Sequence, residues 1–224
     1  MTEAIETISE HGLTARIFYD ECGEHADPRQ WDQLGTMTCW HPDYALGDEQ
    51  VETPDGRGYV KNAAPHSGRF KSLDVLARYI SLARGALVVL PLYVYEHSGI
   101  TISVGKAGDY PFDSAGWDST NVGFIWTSEK RIAELCGDGE QYREPAWLTE
   151  QLENEVKEYA LYLEGQVFYF VIENEEGDVV ESCGGFLGHE VAIEMAKDAM
   201  KGAAAQETYV DAVPIEYALA GVTV

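Results

Sequence analysis

The sequence predicts an α+β fold, an antiparallel or mixed sheet with helices packed on one face, and three observations carry that prediction. Strand-like runs follow one another across turn-length gaps: "LPLYVYE" and "GITISVG" flank His97 and Ser98, and "QVFYFVIEN" and "DVVESCGGFLG" flank "EEG". Such pairs are hairpins, and they outnumber the strand–helix–strand crossovers of a parallel sheet. Long segments also carry apolar residues at helical spacing. No period of about 20 to 50 residues repeats, which leaves solenoids and propellers unsupported. The 224 residues suffice for one body with a real core, a single acidic domain over 1–224 with a loop-rich part over about 1–70.

In order along the chain, "TARIFYDE" alternates as a strand does after a polar lead-in, and "DPRQWDQLGTMTCWHPDYALGDEQ", punctuated by Pro28, Gly35, Pro42 and Gly47, reads as irregular. "ETPDGRGYVKNAAPHSGRF" contains the turn sequence Pro-Asp-Gly and reads as a surface loop. "SLDVLARYISLARG" reads as a helix, with Ser72 as its N-cap and Gly85 as its stop. The next two runs are β-branched and aromatic, and Pro91 suits a strand edge or bulge.

"PFDSAGWDSTN" reads as a loop, "VGFIWT" as a strand, and "SEKRIAELCG" as a short helix capped by Ser128 and ended by Gly137. "PAWLTEQLENEVKEYALYLEG" is the strongest helix: Pro145 opens it, Leu148, Leu152, Val156, Tyr159 and Leu163 recur at helical spacing, and Gly165 closes it. Its other face is read as holding Glu150, Glu153, Glu155 and Glu158. "HEVAIEMAKDAMKGAAAQ" follows as a second amphipathic helix with Val191, Met195 and Ala199 on one side. The tail "ETYVDAVPIEYALAGVTV" adds a last strand or packs irregularly.

Hydrophobic content of 45% and aromatic content of 11% are those of a folded chain. The N-terminus lacks a basic or apolar leader, and "ALVVLPLYVY" is broken by proline and too short to span a bilayer, so a soluble cytoplasmic protein is expected. Cys22, Cys39, Cys136 and Cys183 form no CxxC pair and read as reduced, mostly buried thiols.

The net charge of −24 far exceeds the magnitude of about 2 to 8 that keeps a small domain dispersed. Such a field repels nucleic acid and anionic membrane and attracts basic surfaces. Residues 1–60 carry 13 acids and 3 bases, 61–130 carry 6 and 7, and 131–224 carry 20 and 5. Acids serving general hydration, as in a halophile, would be spread evenly; confinement to two flanks points to a directed use.

From Leu90 to about Gly188 the chain resembles a family of uncharacterised proteins encoded by bacteriophages and conjugative elements. The resemblance rests on "LPLYVYEHSGITIS", "WDSTNVGFIWTSEK", "YLEGQVFYFVIE" and "ESCGGFLG", in that order and at similar spacing. "FDSAGWDST" departs from the simpler Trp-Asp-Ser stretch usual in the family. The resemblance implies a setting, a mobile element facing host defence systems, and no mechanism.

Three constellations are candidates for chemistry. His97 and Ser98, with Asp113 or Asp118, have the residue types of a triad, but adjacent residues on extended backbone point apart, so a hairpin turn is the better reading. Cys183 in "ESCGGFLG", with His189, has the types of a thiol enzyme, and its glycines equally suit a bulge or a close contact. His41, His66, His97 and His189 lack metal-ligand spacing. With no phosphate-binding or dinucleotide fingerprint either, no cofactor is expected.

The acids themselves then become the candidate working groups. Duplex DNA presents a negative charge about every 1.7 Å of its axis. A helical rise of about 1.5 Å places Glu150, Glu153, Glu155 and Glu158 within roughly 12 Å, with Glu164 beyond. The following hairpin adds Glu173, Glu175, Glu176, Asp178 and Glu181, and Tyr159, Tyr162 and Tyr169 offer rigid anchors. The expected partner is a basic nucleic-acid-binding host protein or complex, with no direct binding of nucleic acid or membrane. The alternatives are a small enzyme using the central His/Ser or Cys motif, or a phage regulatory protein that binds another phage protein.

Overall fold

A computed structural model describes residues 3–41, 43–51, 73–97, 99–106, 109, 110, 113 and 118–212, excepting the side chains of 73, 74 and 206–212. The Pro-Asp-Gly loop, the cap at Ser72, Ser98, His66, most of the 111–117 loop and the tail beyond 212 lie outside the described residues. The elements in chain order are β1 (Glu6–Glu10), β2 (Leu13–Tyr19), β3 (Thr36–Cys39), β4 (Glu49–Gln50), α1 (Leu73–Ala83), β5 (Ala86–Glu96), β6 (Ile100–Val104), β7 (Ser119–Ser128), α2 (Glu129–Cys136), α3 (Pro145–Leu163), β8 (Val167–Glu173), β9 (Val179–Leu187) and α4 (His189–Ala212). No helix among the described residues is long and apolar enough to cross a membrane.

The class is α+β, with two sheets. Where the sequence reading places one domain over 1–224, the chain divides into two compact units: 1–26 with 165–224, and 27–164. The segment expected to be loop-rich contributes four strands, β1 to β4.

The first unit is an antiparallel sheet in the order β1-β2-β8-β9 with α4 on one face. Period-2 alternation turns Leu13, Ala15 and Ile17 of β2 and Phe168, Phe170 and Ile172 of β8 toward the helix. The helix meets them with Ala192, Ala196 and Met200, all fully buried. This corrects the expected stripe of Val191, Met195 and Ala199: Val191 and Met195 are 47% and 45% exposed. Small alanines let the backbone of α4 approach the phenylalanine rings, so the buried stripe lies one residue along from the bulky one.

The second unit is a mixed five-stranded sheet in the order β4-β3-β7-β5-β6, antiparallel except for the β3–β4 pair. Its central strand, β7, is buried on both faces, as its nearly unbroken apolar run requires. Val122 and Ile125 pack with Leu152, Val156 and Tyr159 of α3, and Phe124 and Trp126 pack with Leu76 and Ile80 of α1. The one-face arrangement therefore holds for the first sheet, and this sheet carries helices on both faces. Ser128 and Gly137 cap α2 as expected, and Pro145 begins α3.

Candidate functional site

Helix α3 is placed by burying Leu148, Leu152, Val156 and Tyr159, and a fifth residue, Glu155, lies on the same buried side. Glu155 therefore does not belong to the acidic face expected for it. Its carboxylate accepts the backbone N–H of Leu34 at 2.7 Å and of Gly35 at 3.0 Å, and Arg29 Nη1 donates to it at 3.2 Å. Arg29 also donates from Nε to Asp48 at 3.0 Å, from Nη2 to Asp48 at 2.5 Å, and from Nη2 to the Gly35 carbonyl at 2.7 Å. Asp48 in turn accepts the N–H of Met37 at 2.7 Å.

Burial pushes the Glu155 carboxyl above its usual pKa, and the Arg29 charge and the two backbone donors oppose that rise. Burial also disfavours the Arg29 charge, but the Asp48 and Glu155 carboxylates outweigh it and raise its pKa. This is an interior clamp that ties the 27–48 segment to α3, and it offers no charge to a partner. Tyr159 is likewise interior, its hydroxyl accepting the N–H of Gly47 at 3.2 Å.

The other α3 acids do face outward. Glu150, Glu158 and Glu164 are exposed and Glu153 is half-buried, while Tyr162 is half-buried and stacked 6.2 Å from Tyr159. Burial raises the Glu158 pKa, against a hydrogen bond from Gln33. Glu153 and Glu164 border a cleft of about 420 Å³ between α3 and β6, and Glu158 borders another of about 400 Å³ with Asp32 and Trp147.

The hairpin acids stand at one end of the first unit's sheet. Glu173 is half-buried and paired with Arg16 across the β2–β8 ladder, so its charge is neutralised. Beyond it, Asn174 builds the turn: its Oδ1 accepts the N–H of Glu176 at 3.1 Å and of Asp178 at 2.9 Å, and its own N–H donates to the Asp178 carbonyl at 3.0 Å. That fixed turn holds Glu175, Glu176 and Asp178 exposed, with Glu181 following on β9. Glu175 Oε1 lies 3.5 Å from where a Cβ on Gly12 would stand, so the β1–β2 turn adjoins and exposed Glu10 joins the group. No described base lies within ion-pairing distance of Glu175, Glu176, Asp178 or Glu181.

The ten residues expected to form one surface thus belong to two units. Glu150, Glu153, Glu155, Glu158, Tyr162 and Glu164 lie in the second, and Glu173, Glu175, Glu176 and Asp178 in the first. The first unit carries 17 acids and 3 bases, the second 22 and 12. Two of the first unit's bases are occupied internally, Arg16 by Glu173 and Lys201 by Asp198 at 2.8 Å.

The catalytic candidates have structural surroundings. His97 sits in the β5–β6 turn, its N–H donating to the Gly99 carbonyl at 3.1 Å and its ring stacked on Tyr95. Asp113 is buried and accepts the N–H of Asp118 at 3.2 Å. Cys183 is exposed on β9, and His189 Nε2 lies 3.1 Å from Glu6. The adjoining glycines serve packing: a Cβ on Gly184 would stand 3.0 Å from that of Tyr169, and Gly185, at φ +81°, lies in the bulge between Phe168 and Tyr169. No three His, Cys, Asp or Glu side chains among the described residues come together as a metal site.

Sequence reasoning missed the Arg29–Asp48–Glu155 clamp, and it weighed His41 only as a metal ligand, whereas its buried Nδ1 accepts the N–H of Asp43 and of Tyr44, both at 3.2 Å. A signal for the clamp exists: Glu155 follows Leu148 by seven residues and precedes Tyr159 by four, which places it in the apolar stripe. Arg29 and Asp48 sit in irregular chain, where no periodicity marks an inward residue. Comparison with protein-family models, with curated proteins and with solved structures finds no match.

Proposed function

We propose that the protein is an acidic, mobile-element-encoded inhibitor of a host defence system, of the anti-CRISPR or anti-restriction type. It acts in the host cytoplasm by covering a basic nucleic-acid-binding surface as a nucleic-acid mimic. The observation that carries this reading is the end of the first unit's sheet, where Glu175, Glu176, Asp178 and Glu181 are exposed with no described base within ion-pairing distance, and exposed Glu10 stands beside them with Lys201 nearby. A mimic must present closely spaced carboxylates from backbone that is already ordered, and the Asn174 turn, which holds the N–H groups of Glu176 and Asp178, supports that reading. The exposed α3 acids Glu150, Glu158 and Glu164, with half-buried Glu153, offer a second set on the other unit. The mobile-element setting rests on the resemblance over residues 90–188.

The test is displacement of labelled duplex DNA from purified CRISPR surveillance complexes and restriction enzymes. The protein should release the DNA, the effect should weaken steeply with salt, and replacing Glu175, Glu176, Asp178 and Glu181 by Lys should remove it. Pull-down from a host lysate at low and high salt identifies the natural partner. Displacement that survives those reversals, or that His97→Ala or Cys183→Ala removes instead, overturns the reading.

A further inference from the structure

Strand β6 ends the five-stranded sheet, and among the described residues no strand pairs with its outer side. Exposed edges are ordinarily blunted by charge, proline, a bulge or shortness. β6 has neither charge nor proline: its sequence is ITISV, and it pairs with β5 over five residues without a register shift. Such an edge is a ready template for another extended chain.

Beside the edge lies the cleft of about 420 Å³. Ile102 and Val104 of β6 form one wall, and Val156, Ala160 and Leu161 of α3 form the other, with the small Ala160 leaving room between them. The α3 residues at 153, 156, 157, 160, 161 and 164 make one continuous stripe along the helix, facing Ile102, Ser103 and Val104 of the strand. On the helix side Glu153 and Glu164 mark its acidic ends, with Lys157 between them. Glu153 and Glu164 are separated by roughly 16 Å of helix, about five residues of extended chain, which matches the length of β6.

We propose that the β6–α3 cleft docks an extended peptide segment of a partner protein, one face of which carries apolar residues flanked by basic ones, and which adds to β6 as a further strand. Alternate side chains point to opposite faces, so every second one, apolar at the centre and basic at the ends, faces the cleft between α3 and β6 while backbone hydrogen bonds form along the edge. Basic side chains at the segment's ends meet Glu153 and Glu164. Charge complementarity selects this occupant over a second copy of the chain, because two copies paired edge to edge bring like acids together on molecules of net charge −24. The site is separate from the hairpin acids and stands whether or not those acids mimic nucleic acid.

The probe is a fluorescein-labelled heptapeptide, Lys-Ser-Val-Thr-Ile-Ser-Arg, whose Lys, Val, Ile and Arg share one face, titrated with the full chain at 0.15 M salt. Two further peptides, N-methylated at one or the other alternate set of amides, have the same charge and side chains but cannot form the ladder on one edge. The parent peptide should bind, and one methylated peptide should bind about tenfold more weakly. Reversing Glu153 and Glu164 to Lys should weaken binding about tenfold, and Ala160→Phe should do the same by filling the cleft. Amide exchange at Ile100–Val104 should slow when the peptide is added. Replacing Glu175, Glu176 and Asp178 by Lys should leave binding within about twofold, which separates this site from the proposed mimicry. Equal binding by all three peptides, or binding indifferent to the Glu153 and Glu164 reversals, overturns the proposal. So does sedimentation showing a dimer that Ala160→Phe dissociates.

Discussion

Glu155 and Glu158 stand three residues apart on one helix, and their substitutions should behave in opposite ways. Glu155→Ala leaves Arg29 buried with only Asp48 to balance it and strips the N–H groups of Leu34 and Gly35 of their acceptor. Breaking such a buried pair costs about 3–5 kcal/mol, which a shift of the urea midpoint at pH 7 measures. Arg29→Ala should cost at least as much, because it leaves the two carboxylates facing one another without a cation. Glu158→Ala, on the exposed side, should stay within about 0.5 kcal/mol. The difference between the two glutamates was partly legible, since spacing from Leu148 and Tyr159 puts Glu155 on the apolar side. Its partners were not, because a side chain contributed by irregular chain has no period to reveal its direction.

Among the elements, those with strong local signals are where the sequence places them. The β5–β6 and β8–β9 hairpins, α2 and α3 follow from alternation, helical spacing and capping residues. The strands that go unread are β1, whose ETISE sequence is polar because it is a half-exposed edge, β3, whose TMTC is only four residues long in a segment rich in turn formers, and the two-residue β4 in the same segment. All three are made by tertiary pairing, β1 with β2, β3 with β7 and β4 with β3, and not by local preference. One residue in β7 does announce the second pairing. Gly123 interrupts an otherwise apolar strand, has φ +150°, and a Cβ there would stand 2.1 Å from the Thr38 carbonyl oxygen. A glycine inside a strand marks close backbone approach, and here the approaching backbone is β3. Gly123→Ala should therefore cost on the order of 3 kcal/mol or more. It should also speed amide exchange in β3 selectively, while Gly137→Ala, with nothing within 4 Å, pays only for its backbone angle.

At the scale of the whole molecule the governing quantity is the charge of −24, which makes stability depend on pH and salt in a direction that can be derived. Burial raises the pKa of Glu155 and of Glu158 above that of the unfolded chain. A carboxyl raised in this way binds its proton more tightly when folded. Its stabilising contribution is complete below the unfolded pKa and is lost as pH rises through the folded one. The mutual repulsion of the surface acids acts in the same sense. His41 opposes it: burial lowers its pKa below the ordinary 6.5, so its contribution is present above that value and is lost as pH falls through it. One histidine against two raised carboxyls and a field of this size should lose, so the melting temperature should rise as pH is lowered from 7 toward about 5. At pH 7 it should rise as salt is increased from about 0.05 to 0.5 M, because repulsion between exposed charges is screened. His41→Asn retains a side-chain acceptor for the N–H groups of Asp43 and Tyr44 and removes the opposing titration, so it should steepen the gain on acidification. Calorimetric scans of the two proteins across pH and salt measure both slopes. A melting temperature indifferent to salt would mean that the exposed acids are already neutralised by one another's neighbours, and a surface so compensated has no net field with which to draw in a basic partner.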